Sequence, residues 1–199
     1  NEFVQRTSVL TLGSSYASNL HSQGDGIYCN STHAYATVVG TTPNNTIYLN
    51  ENYVTLNIQQ VGVNVAYNSA NSTDYLPGDL IYQVQYPTSI GTWSTVDSSG
   101  RPLSTQQNYT LYGGANPERS FIGRVKYWSP TDAALVVEVL QGTAIANTQS
   151  FFNANANTVI YKVSDNRIAF TNSLVQGNKI PNSAQVYNTT QNILAYANT

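Results

Sequence analysis

Apolar residues recur at every second position along most of this chain. Val54, Leu56 and Ile58 alternate with Tyr53, Thr55, Asn57 and Gln59, and Val61, Val63, Val65 and Tyr67 follow with Gly62, Asn64 and Ala66 between them. Leu80, Tyr82, Val84 and Tyr86 alternate with Ile81, Gln83 and Gln85. Further runs lie at 35–39, 109–112, 121–128, 135–140, 158–163 and 168–170. A period of two, rich in β-branched and aromatic residues, predicts half-buried strands. Turn clusters separate the runs: Pro77-Gly78-Asp79, Ser98–Pro102, Gly113–Pro117 and Ser129–Asp132. The Ala content of Thr131–Phe152 permits a helical turn or two. Val136, Val137 and Val139 are stiff at χ1, which favours a strand over Leu135–Leu140. Many short strands with regular turns predict an all-β chain folded as a single β-sandwich. No linker, repeat or charge block divides it.

The N-terminus carries a separate signal. Residues Asn1–Leu12 read as an extended segment bearing Phe3, Val4, Val9, Leu10 and Leu12, and Gly13-Ser14-Ser15 follow as a hinge. Such a strand has two destinations. It pairs as the first strand of its own sandwich, or it completes the sheet of a neighbour, with main-chain hydrogen bonds for affinity and alternate side chains for fit. Donation is head-to-tail, so its product is an open filament.

Composition changes the picture by showing what keeps this chain in solution. Only 9% of the residues are charged, against about 25% in ordinary domains. Asn, Ser, Thr and Gln make up 78 of the 199 residues, and Tyr adds 15 more. A surface of amides and hydroxyls does not titrate, so its hydration holds from neutral pH into acid. That suits an extracellular protein, including one in acid. The absence of Met, even at position 1, reads as a mature chain whose leader has been removed. No apolar run approaches the length of a membrane span. A net charge of −2, with 8 basic residues spread singly, argues against nucleic acid and anionic membrane surfaces. The lone Cys29 forms no internal disulfide and reads as a small buried core residue.

Five sequons place candidate N-glycans at Asn30, Asn44, Asn71, Asn108 and Asn188. Random order of the same Asn, Ser and Thr gives about as many, so the number itself carries no signal. On a glycosylating secretion route, glycans there supply hydration where charge is missing.

Catalytic chemistry is thin. His21 and His33 are the only histidines, with no third metal ligand at a recognisable spacing. No nucleophile elbow, phosphate loop or dinucleotide fingerprint occurs. No catalytic residue, cofactor or metal is therefore assigned. Glu138 stands inside an apolar run, where an unpaired carboxylate is costly. A hairpin through Ser129–Asp132 sets it opposite Arg124 or Lys126, as a cross-strand pair on a wet face. Two sharper readings stay open: an acid-peptidase carboxylate, or an isopeptide bond with Lys126 or Lys162 as nucleophile. Trp93, Trp128 and the many Tyr also leave room for a sugar-stacking platform.

Taken together, the Asn-, Ser-, Thr- and Tyr-rich chain, its sequons and its N-terminal strand with hinge resemble the thread pilins of thermoacidophilic archaea. The resemblance implies an Ig-like/pilin-like β-sandwich over 16–199, preceded by a donor strand and hinge over 1–15. It implies a non-enzymatic subunit of a glycosylated cell-surface filament, polymerising head-to-tail with itself by donor-strand complementation for adhesion. Phe3, Val4, Val9, Leu10 and Leu12 would be the plugs entering the next subunit, and the five sequon Asn the glycan sites. The alternative is a secreted or viral coat-type β-sandwich, or a carbohydrate-binding module, that pairs its own first strand.

Overall fold

The structure is a computed structural model, described for residues 7–13, 21–42, 45–61, 66–67, 71–84, 119–146, 159–164, 168–176, 180–181 and 184–197. These residues form strands and turns and contain no helix. The strands are β1 (Thr7–Thr11), β2 (Gly26–Cys29), β3 (Tyr35–Thr42), β4 (Thr46–Asn50), β5 (Tyr53–Val61), β6 (Ala66–Tyr67), β7 (Leu80–Val84), β8 (Arg119–Ser129), β9 (Ala134–Gly142), β10 (Val159–Lys162), β11 (Ile168–Gln176), β12 (Gln185–Asn188) and β13 (Ile193–Tyr196). They make two antiparallel sheets, consistent with the expected β-sandwich. The chain divides into two compact units, Asn1–Thr55 with Val175–Thr199, and Leu56–Leu174. Both boundaries fall inside strands, β5 and β11, so no linker composition marks them.

The first unit holds a six-stranded sheet in the order β1-β4-β3-β2-β12-β13. Each strand turns every second side chain inward, as a pleated backbone requires. Leu10 comes from β1, Ile27 and Cys29 from β2, Ala36 and Val38 from β3, Ile47 and Leu49 from β4, Val186 from β12 and Ala195 from β13. Each fully buried Leu or Ile contributes about 2 kcal/mol over an exposed one. Cys29 is a free, buried thiol, as its setting predicts, with Sγ 3.3 Å from the Ser31 hydroxyl. Gly26 is where β2, β3 and the turn after β12 crowd together. A Cβ there would collide with the Tyr35 hydroxyl and lie 2.5 Å from Thr189 Oγ1.

The second unit is built on the order β11-β10-β7-β8-β9-β5-β6, and β11 also pairs β5. That last pairing turns the sheet into a ring of six strands with β6 appended, so the ring has no open edge. Asn57 Nδ2 donates to Ser173 Oγ at 2.8 Å on that side. The predicted β8–β9 hairpin is present, with Arg124 directly opposite Glu138 and both exposed. Burial departs from the apolar–polar pattern of the sequence in β9 and β7. In β9, Ala134–Val137 are all buried and Glu138–Gly142 all exposed, with register shifts in the facing β8. In β7 the core face belongs to Ile81 and Gln83, while Leu80 is exposed. Gln83 is tolerated there because its amide satisfies both ends: Nε2 donates to Ile145 O and Oε1 accepts from Ile145 N, each at 2.8 Å.

Candidate functional site

The candidate site is the seam at which β1 enters the first unit. Its pairing with β4 runs unbroken from Thr7↔Asn50 to Thr11↔Thr46. The next residues continue the contact on both sides. Leu12 N donates to Asn45 O at 2.8 Å, while Gly13 N donates to Tyr196 O at 2.9 Å. Leu12 also bridges Ala197 beyond β13. The two end strands of the six-stranded sheet are therefore tied together, and β1 is the stave that closes the ring. Leu10 and Leu12 are each 1% exposed and belong to the core. Val9, just before Leu10 on the alternate side of the pleat, is 50% exposed and lies opposite Tyr48 on the outer face. Of the five residues read as donor plugs, two thus fill this unit's own core and one faces out. Phe3 and Val4 lie outside the described residues.

On its far side the seam depends on the β12–β13 hairpin. Its turn places Asn192 at φ 57°, a left-handed position that Asn tolerates. Asn192 N returns to Asn188 O at 2.9 Å. Asn188 organises the turn with its side chain as well. Oδ1 accepts from Thr190 N at 3.0 Å and Gln191 N at 2.9 Å. Nδ2 donates to Asp25 Oδ2 at 2.9 Å and meets His21 Nδ1 at 2.9 Å. All three side chains are buried.

Burial lowers the His21 pKa from its ordinary 6.5, and the attraction of Asp25 offsets only part of that. Burial acts on Asp25 in the opposite sense, raising it. The hydrogen bonds from Ser22 N, Asn188 and Gln191, with the charge of His21, outweigh burial and hold Asp25 below its ordinary 3.8. His33, at φ 62°, instead stacks on Tyr28 with ring centroids 6.2 Å apart. The described residues contain no cluster of three or more His, Cys, Asp or Glu able to hold a metal.

The sequons separate by environment. Asn30 and Asn71 are exposed at turns. Asn44 and Asn108 lie outside the described residues. Asn188 is 1% exposed, and the Nδ2 that would carry a glycan is committed to His21 and Asp25. It is therefore withdrawn from the glycan sites considered below. The sequence signal was present but ambiguous: Asn-Thr-Thr closing a strand is both a sequon and a turn-capping text.

The remaining candidates sit in the second unit. Lys126 is exposed. Lys162 is buried, 3.5 Å from Asp79 Oδ2, donating to Asp74 O at 2.9 Å, and 5.8 Å from the Tyr75 ring centre. Glu138, the acid that would assist an isopeptide bond, lies on the exposed half of β9 instead. Trp128 is 6% exposed and donates Nε1–H to Asn71 O at 2.8 Å, so it is a core residue and not part of a sugar platform. Trp93 lies outside the described residues. No helix among the described residues is long and apolar enough to cross a membrane. No protein-family model, curated protein or solved structure matches the chain.

Proposed function

We propose that this chain is a structural, non-enzymatic subunit of an extracellular glycosylated filament, polymerising head to tail by exchange of its N-terminal residues 1–12. One observation carries the reading: β1 is a terminal stave in a ring, supplying Leu10 and Leu12 to a core built otherwise by five other strands. A groove that accepts this strand from its own chain can accept the same strand from another copy, with the same register against β4 and the same two plugs. Vacating the groove exposes a strand edge and two apolar holes, a liability that insertion of a neighbour's strand removes. Asn30 and Asn71, exposed at turns, are the described positions suited to glycans. Adhesion at a cell surface is the role that such a filament serves.

A second reading is a self-paired subunit of a coat, or a monomeric sugar-binding module. The unbroken five-residue register of β1 with β4 inside one chain favours it. Negative-stain electron microscopy of the native, unboiled protein separates the two. Long thin filaments, lost when residues 1–12 are deleted, are expected for strand exchange. Compact or closed symmetric particles would make β1 a resident strand and overturn the filament.

A further inference from the structure

The Asn188 amide has no freedom of orientation. Its Oδ1 is held by two turn N–H groups and its Nδ2 by the Asp25 carboxylate. Nδ2 is a donor only, so His21 Nδ1 accepts from it, and the imidazole proton sits on Nε2. This works only while His21 is neutral. Protonation places a second N–H at Nδ1, pointing at the N–H of Asn188 from 2.9 Å away. Flipping the amide does not help: it would turn Oδ1 toward Asp25 and leave Thr190 N and Gln191 N without their acceptor. The conflict therefore passes to the β12–β13 turn. That hairpin carries Tyr196 O and Ala197, the contacts that tie down Gly13 and Leu12.

We infer that His21 is an acid-operated latch: protonation loosens the C-terminal hairpin and with it the seam that holds β1. Among the described residues, the groups that act on the imidazole are Asp25, from the segment before β2, and Asn188, at the end of β12. Of these Asp25 alone is charged, and its attraction does not offset burial, so the folded state favours neutral His21. At neutral pH the latch keeps each copy closed on itself. In acid, where the uncharged surface stays hydrated, the first strand becomes available for exchange. The latch is a property of the single folded chain; only this last consequence rests on the filament reading.

Amide hydrogen exchange of the monomer, corrected for intrinsic rates and read from about pH 8 to about pH 5, tests it. Protection at residues 7–13 and 193–197 is expected to fall about tenfold or more in the wild type. It should stay level in His21→Gln, which keeps a side-chain acceptor and cannot titrate. Residues of β8 and β9 serve as the internal reference. Equal slopes in the two proteins, or a wild-type seam that does not respond, would overturn the latch. If His21→Gln does not fold, the wild type decides alone: protection must fall from about pH 6.5 down to the NMR titration midpoint of His21 and level off below it, and a loss outside that window overturns the latch. A labelled peptide of residues 1–12 distinguishes the two ideas. Uptake in acid supports both, whereas an open seam without uptake upholds the latch and sinks strand exchange.

Discussion

Among the described residues each unit buries a node of titratable side chains, and the two nodes are built on different chemistry. In the first unit a neutral amide, Asn188, mediates between an imidazole and a carboxylate. In the second, Lys162 meets Asp79 directly, with the Asp74 carbonyl and the Tyr75 ring beside it. An amide network is satisfied by orientation, so one added proton disorders it. A direct ion pair is held by charge, and what endangers it is loss of a partner. The chain that avoids charge on its surface thus uses it inside for two purposes, a responsive node at the seam and a fixed one in the closed ring.

Removing the fixed node should have the largest effect. Lys162→Ala removes a buried ammonium that pairs with Asp79 and donates to Asp74 O, and is expected to cost about 3 kcal/mol or more. Chemical denaturation read by exchange should show the loss in β7, β8 and β10 before β1–β4. The first unit has an apolar counterpart in Leu12→Ala, expected at about 3 kcal/mol with the order of loss reversed. If both variants destabilise both units equally, the units are one cooperative body and the comparison fails.

Acidification should act on the first unit with a smaller effect. The folded pKa of His21 lies below its unfolded value, so the folded state binds fewer protons and loses stability as pH falls through about 6.5. Asp25 has the same sign below about 3.8. Denaturation midpoints measured across pH should therefore fall for β1–β4 in two steps, and His21→Gln should remove the upper one. The smallest change belongs to Glu138→Gln, which takes one charge from an exposed cross-strand pair and should shift stability by less than about 0.5 kcal/mol. A larger shift would mean that the outer face of β9 has a role of its own.

Much of the fold was legible because strands announce themselves by period. Val54, Leu56 and Ile58 are all buried on β5, and the Val-rich stretch at Leu135 is strand despite its alanines. The hairpin register that opposes Glu138 to Arg124 followed from counting across one turn. What period cannot give is the identity of the buried face. Gln83 went inward because a distant backbone, at Ile145, matched its amide. The short β4, β12 and β13 carry Asn, Thr and Tyr that read equally well as turn text. The His21–Asn188 contact spans 167 positions, a separation at which local pattern carries no information. Part of the candidate site was visible as Leu10 and Leu12 in an N-terminal strand, but its partners were not.

The bridge between Leu12 and Ala197 also has a consequence in time. A chain grows from its N-terminal side, so β1 is made well before the residues of β13 and Ala197 that close its ring. The second unit is contiguous in sequence and can complete itself in the interval, whereas the first must form contacts across almost the whole length of the chain, the slowest kind to form. Until then β1 has at most one neighbour. During synthesis β1 is therefore half-paired for a time, and whatever it meets during that delay competes with Tyr196 and Ala197 for the seam.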